Sequence, residues 1–296
     1  MSKRPLFITT ADMHLRSSNP AQRIDDYKAA MASKLSQIRN IQLLLNVPVI
    51  DSGDVFNGWK ASPSTECFAM DNLPEHFLSI PGNHEIPFHN MSHLDESSFM
   101  VMLKSKRIKT APFLQTDKMS IYMVPYNGEI SQKDLPEDTI NVLVTHMMVT
   151  KETDTRFEHI TAIDMLKRYP EYDVILTGHN HQTFTEKYKG RLLINNGSLM
   201  RSSYDQIDHK PCVHIVYDDL SFETKYLDIL PAEKVFNIDK VEAKKESEER
   251  IENFVSKLKS DYDVGVSFSE NLKNYLSSNK IRDGVKEVLA KATGAY

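Results

Sequence analysis

The sequence predicts an α/β protein: a four-layer αββα sandwich of two mixed sheets flanked by helices, followed by a helical C-terminal extension. Three observations predict it. Short apolar runs of strand length recur through the first two thirds of the chain, each bounded by Gly, Pro, Asp or Asn. A long helical pattern separates the first two of them, so strand and helix alternate. Later stretches switch to consecutive strands and turns, enough for a second sheet stacked on the first.

In chain order, the apolar runs are Leu6-Phe7-Ile8, Val47-Pro48-Val49-Ile50, Phe77-Leu78-Ser79-Ile80, Ile140 to Val144, and Val174-Ile175-Leu176. The helical pattern covers Ala21 to Leu45, with Met31, Leu35, Ile38 and Gln42 on one track. The strand-and-turn stretches are Ile121 to Tyr126 and Thr183 to Asp228, with Lys189-Gly190 as a hairpin connection. After Pro231 the character changes. Ile251, Phe254, Val255 and Leu258 repeat at helical spacing, as do Phe268, Leu272, Tyr275 and Leu276, then Ile281, Val285, Val288 and Leu289. The expected division is therefore a catalytic domain over residues 1–231 and helices over 232–296.

Composition narrows the function. No run of about 18 apolar residues is present, so no membrane span is expected. The first residues lack a secretory pattern, and two cysteines, Cys67 and Cys212, are too few for a disulfide framework. A cytoplasmic protein is expected. The formal net charge of −5 argues against a strong stand-alone grip on nucleic acid, which draws affinity from basic residues. Part of that acidity would be cancelled if carboxylates hold cations.

Five clusters place Asp, His or Asn just after an expected strand: Asp12-Met13-His14, Gly53-Asp54, Gly82-Asn83-His84-Glu85, His146, and Gly178-His179-Asn180-His181. Asp12 and His14 are two apart, as are His179 and His181, so in an extended segment each pair shares a face. A lone Asp-x-His or Gly-Asp is ordinary turn chemistry. All five together, each at a strand end, point to a dinuclear metal site. Carboxylate, imidazole and amide donors suit manganese, iron or zinc. A carboxylate bridging two cations holds them about 3.5–4 Å apart, the spacing that clamps attacking and leaving oxygens. A histidine off the metals is free to steady phosphoryl oxygens or protonate a leaving group. His76, His89, His93, His159, His209 and His214 match no motif and are assigned to surface or packing.

These motifs resemble the calcineurin-like metallophosphoesterase superfamily, whose pattern runs D-x-H, G-D, G-N-H-[DE], H and G-H-x-H. The resemblance implies one metal on Asp12, His14, Asp54 and His181 and another on Asp54, Asn83, His146 and His179. It makes Asp54 the bridge and His84 the catalytic imidazole beside the phosphate. Within that superfamily the chain is similar to SbcD-type DNA double-strand-break repair nucleases, some of them phage-encoded. Four stretches carry this: Gly53-Asp54-Val55-Phe56 with Ser62-Pro63-Ser64 downstream, Ile80 to His84, Asn196 to Ser202, and the strands after Lys210-Pro211. The likeness implies two manganese ions, DNA as substrate, an SbcC-type coiled-coil ATPase partner and a homodimer; the C-terminal helices either bind that partner or cover the domain's own flank. Two departures stand out: some relatives carry a histidine near Asn57, and Glu85 replaces the usual aspartate. Glu85 is shared with Ser/Thr protein phosphatases, but their phosphate-clamping arginines are here Gly58 and Pro81. Two other readings compete: a small-molecule or cyclic-nucleotide phosphodiesterase on the same metals, and a scaffold that keeps the fold without chemistry. The expected ligands are all present, which disfavours the scaffold.

Overall fold

A computed structural model describes residues 3–130, 135–153, 158–239 and 250. Its elements are β1 (Pro5–Thr10), α1 (Tyr27–Leu45), β2 (Val49–Asp51), α2 (Pro63–Asn72), β3 (Phe77–Ser79), α3 (Ser98–Lys104), β4 (Phe113–Gln115), β5 (Met119–Val124) and β6 (Ile140–Thr145). There follow β7 (Val149–Thr150), β8 (Ile160–Thr161), α4 (Ala162–Arg168), β9 (Val174–Thr177), β10 (Phe184–Tyr188), β11 (Arg191–Asn195), β12 (Cys212–Tyr217), β13 (Phe222–Tyr226) and α5 (Ala232–Val235). One sheet has the order β13-β12-β1-β2-β3 and the other β10-β11-β9-β6-β5-β4. Both are mixed, as expected: β1, β2 and β3 run parallel, as do β5, β6, β9 and β11, while antiparallel pairs close the edges.

Side-chain alternation builds the layers. Phe7, Ile50 and Leu78 of the first sheet pack with Ile121, Val142, Val144, Val174 and Ile194 of the second, which forms the inner core. On the opposite face of the first sheet, Ile8, Val49, Phe77 and Ile215 pack against Met31, Leu35 and Ile38 of α1, Phe68 of α2 and Phe99 of α3. Behind the second sheet, Leu143, Ile175 and Leu193 pack against Met165 and Leu166 of α4. Helix, sheet, sheet and helix are thus bound by three apolar seams.

Two boundaries differ from the expectation. α1 starts at Tyr27 rather than Ala21, because Asp26 is its N-cap and accepts the Ala29 N–H at 2.9 Å. The preceding residues are held otherwise: Ile24 donates to the Val235 carbonyl at 2.9 Å, and Arg23 pairs with Asp25 at 2.5 Å. The stretch Thr183 to Asp228 does not form one sheet. β10 and β11 join the second sheet through the Lys189-Gly190 turn, both residues at positive φ, whereas β12 and β13 return to the first. The first compact unit runs from Met1 to Phe236, and Val235 and Phe236 are buried in it. The amphipathic pattern from Ile251 to Leu289 lies outside the described residues. Among the described residues no helix is long and apolar enough to cross a membrane.

Candidate metal centre

Each cluster sits at the carboxyl end of a parallel strand: Asp12 and His14 after β1, Asp54 after β2, Asn83 and His84 after β3, His146 after β6, and His179 and His181 after β9. The two sheets therefore deliver their loops to one rim, where α/β sheets usually bind ligands. The Asp54 carboxylate is the hub. Its Oδ2 lies 3.3 Å from His146 Nε2, 3.8 Å from His14 Nε2 and 3.9 Å from His84 Nε2. To one side, Asp12 Oδ1 is 4.0 Å from His14 Nε2 and 3.9 Å from His181 Nε2, with the two imidazole nitrogens 3.0 Å apart. To the other, His146 Nε2 is 3.1 Å from Asn83 Oδ1, and His179 joins Asp54 and His146 in one potential ligand group. All seven expected ligands and His84 are brought together.

The spacing fits cations. With metal–nitrogen bonds of about 2.1 Å, two ligands stand roughly 3.0 Å apart at right angles and 4.2 Å apart when opposed. The separations of 3.0 to 4.0 Å fall in that window. Three groups of side chains each gather their donor atoms within 4.8 Å: Asp12, His14 and His181; His14, Asp54 and His84; Asp54, His146 and His179. Second partners aim the rings. His146 Nδ1 donates to the Ser52 carbonyl at 2.7 Å, which turns Nε2 toward Asp54 and Asn83.

Electrostatics point the same way. Burial pushes Asp12 up to about 7, against the opposing charge of His146. Burial also drives His14 down to about 3 and His179 down to about 4, and lowers His181. Asp54 and His146 move as a pair. Burial would raise the acid, but His146, His14 and His84 hold it below the usual carboxylate range. Burial would lower His146, but Asp54 lifts it to about 9. Buried carboxylates beside three lowered imidazoles, His14, His179 and His181, are what a bound cation stabilises: it offsets the anionic charge, takes the place of the proton that His146 holds against Asp54, and accepts the imidazole lone pairs.

The local backbone is not the extended one expected from the two-residue spacing. Asp12, His14, Asp54 and His179 have φ of 50°, 48°, 57° and 75°, in the left-handed region that non-glycine residues seldom adopt. Neighbouring loops hold them there. Asp12 N–H donates to the Gly53 carbonyl at 3.0 Å, His14 N–H to the Asp54 carbonyl at 2.9 Å, and His179 N–H to Asp12 Oδ1 at 3.1 Å. Gly53 must be glycine: its φ is 100°, and a Cβ there would stand 2.7 Å from His146 Nδ1.

Several positioning residues were not recognised as such from the sequence. Glu85 is fully buried and accepts three backbone N–H groups, from Phe56 at 2.6 Å, Gly82 at 2.8 Å and Asp54 at 3.1 Å. Asp51 accepts from Ser79 Oγ at 2.7 Å, Thr10 Oγ1 at 2.8 Å and Gly53 N–H at 3.0 Å, tying β1, β2 and β3 together below the ligands. Asn195 Nδ2 donates to the carbonyls of Asn180 and Gln182, and Asn196 Nδ2 to that of Thr9. The Asn-Asn-Gly-Ser stretch thus clasps the loop of His179 and His181 to β1; from the sequence it stood out only as part of the resemblance from Asn196 to Ser202. Of the unassigned histidines, His209 faces the Ser198 carbonyl at 2.6 Å, His93 faces Glu96 and His214 is buried on β12.

The calcineurin-like phosphoesterase pattern matches residues 6–183. Solved structures with similar folds include an archaeal phosphodiesterase, at 16% identity, TM-score 0.42, and coverage of 75% of this chain and 99% of that one. The calcineurin-like phosphoesterase YfkN from Bacillus subtilis is 12% identical, with TM-score 0.46 and coverage of 77% and 91%. A dimetal phosphatase from Danio rerio is 10% identical, with TM-score 0.46 and coverage of 76% and 100%. No curated protein matches the chain.

Proposed function

Since the chain belongs to the calcineurin-like phosphoesterases, we propose that this phosphoester hydrolase cleaves phosphodiester bonds in DNA. The observation that carries the hydrolytic chemistry is the position of Asp54, whose Oδ2 lies within 3.9 Å of imidazole nitrogens from three other strand ends. The family and the side-chain groups imply divalent metal ions. Asp12, His14, Asp54 and His181 would hold one, and Asp54, Asn83, His146 and His179 the other, with manganese the metal we favour. Such ions supply Lewis-acid polarisation of phosphoryl oxygens and lower the pKa of water.

The protein's own groups do the rest. The Asn57 carbonyl lies 3.0 Å from His84 Nδ1 and accepts its proton, so Nε2 faces Asp54 and the open rim. The His84 side chain is 39% exposed whereas Asp12 and Asp54 are sealed, and exposed His181 is given to a metal, so His84 is the remaining group placed to meet a substrate. Protonated at Nε2, it gives its proton to the leaving oxygen or steadies the phosphoryl group. Asp54 holds the imidazoles in register from below.

DNA is favoured over a small ester by the resemblance of the Gly53 to Phe56, Ser62 to Ser64 and Asn196 to Ser202 stretches to SbcD-type nucleases. On that reading the chain works as a homodimer with a coiled-coil SbcC-type ATPase, which would supply the DNA grip that a net charge of −5 does not. The test is turnover by the purified chain with manganese on labelled single- and double-stranded DNA, on cyclic nucleotides and on bis-p-nitrophenyl phosphate, with and without such an ATPase. DNA cleavage supports the proposal. Hydrolysis of the small esters with DNA intact under every condition would replace it with the small-molecule phosphodiesterase reading.

A further inference from the structure

We propose a second phosphate site beside the metal centre, formed by Arg16, Lys60 and the hydroxyls of Ser18, Ser62 and Thr65. It would hold the phosphate next to the one being cleaved in a polynucleotide. The inference rests on the phosphodiesterase reading above and names the feature of the substrate that the same rim selects. These residues line a cavity of about 210 Å³ together with Asn57. At roughly 30 Å³ per water, that is room for a phosphate and a few waters.

The cavity and the centre share their walls. Arg16 stands two residues after His14, and Leu15 between them donates to the Val55 carbonyl at 2.7 Å. Asn57 N–H donates to the Leu15 carbonyl at 3.1 Å, and the Asn57 carbonyl holds His84 Nδ1. An anion in the cavity therefore sits on the loops that carry His14, Asp54 and the His84 acceptor.

Its chemistry asks for an anion. No carboxylate lines it, although acids outnumber bases in the chain, 41 to 36. Arg16 donates to Ser18 Oγ at 3.1 Å, while its Nε is buried with no acceptor. Among the described residues, neither Arg16 nor Lys60 is ion-paired. Ser62 caps α2 and accepts the Thr65 N–H at 3.3 Å, so the positive end of that ten-residue helix opens on the same space. A planar guanidinium, an ammonium and hydroxyls form a donor set for phosphate oxygens. A diester with a single phosphate leaves this recess empty, whereas a polynucleotide fills it while its neighbouring phosphate reaches Asp54 and His84.

The full chain loaded with manganese is assayed on the dinucleotide TpT, on the same dinucleotide carrying a 5′ or a 3′ terminal phosphate, and on bis-p-nitrophenyl phosphate. A terminal phosphate at one end should raise kcat/KM by about tenfold over TpT. Arg16→Ala and, separately, exposed Lys60→Ala should shrink that ratio, and Arg16→Lys should restore part of it. Binding of a fluorescent single-stranded octamer, read by anisotropy against salt, gives an answer without turnover. Losing one phosphate contact should make the slope of log affinity against log salt shallower by about 0.7. If wild type cleaves TpT with no gain from either terminal phosphate, the second site is overturned while the phosphodiesterase reading stands. If no diester is cleaved, that reading fails, and the slopes decide the site: wild-type and variant slopes that coincide, or no binding by wild type, overturn it.

Discussion

Replacing Glu85 by Gln tests whether the backbone frame of the metal centre is organised by one carboxylate. Oε1 accepts the Phe56 N–H at 2.6 Å, and Oε2 accepts from Gly82 at 2.8 Å and Asp54 at 3.1 Å. Every partner is a donor. Burial and the Asp54 charge raise the Glu85 pKa well above its usual value, and the N–H groups pull it back. A glutamine presents one oxygen and one NH2. With the oxygen toward Gly82 and Asp54, the NH2 meets the Phe56 N–H donor to donor, leaving that buried group unsatisfied at about 1–3 kcal/mol. The expected loss is therefore about 1–3 kcal/mol, read as the change in urea-denaturation free energy of the chelated protein. Metal affinity should fall with it, because all three donors belong to the loops that carry Asp54 and Asn83. A destabilisation below about 1 kcal/mol, with metal content unchanged, would show that the three N–H groups do not depend on this carboxylate.

Two further outcomes are expected. His84→Ala should cut turnover by about 10²–10⁴-fold while metal content, measured by elemental analysis, stays near wild type; equal turnover would remove its catalytic role. His214 gives a pH effect away from the centre. Burial lowers it from 6.5 to about 4, so the unfolded chain takes up its proton first. Its contribution is complete above about pH 6.5 and is lost as the pH falls toward 4, by about 2 kcal/mol at pH 5. His214→Leu should remove that part of the acid sensitivity, seen as a stability difference from wild type that changes between about pH 7.5 and 5; a flat difference would refute the assignment.

Layer architecture and the convergence of the Asp, Asn and His clusters at one rim were legible because each rests on a local pattern. Apolar runs between breakers give strands, and an Asp, Asn or His directly after such a run is carried to the sheet edge. What was not legible is long-range pairing. Nothing local to Cys212–Tyr217 tells that β12 pairs with β1 rather than with the strands just before it. Asp26 is visible as a letter, yet the helical track running back to Ala21 hid its role as N-cap until the bond from Ile24 to Val235 fixed the preceding chain. Glu85 could be noted as a motif variant, but its three acceptor contacts involve residues up to 31 positions away. The side chains of each expected pair converge, but for a reason other than the one expected. Asp12 and His14 share a face through two left-handed residues pinned to the Gly53 and Asp54 carbonyls, not through extended alternation.

That pinning bears on what metal does for the fold. Four ligand residues in the left-handed region, at about 1–2 kcal/mol each, cost an amount comparable with the whole stability of an ordinary domain, about 5–15 kcal/mol. The backbone bonds to Gly53, Asp54 and Asp12 offset part of this, but they leave Asp12 raised by burial and three histidines lowered. A cation bound only by the folded chain should therefore act as a stabiliser as well as a catalyst. At a free concentration of 100 times Kd it adds about 2.7 kcal/mol, measured as a rise in the urea midpoint on titrating manganese into chelated protein. Asp54→Ala, which removes the shared carboxylate, should abolish the rise and the bound metal together. A wild-type midpoint that does not move with metal, or an Asp54→Ala midpoint that rises as far as wild type, would mean that these side chains converge for some purpose other than holding ions.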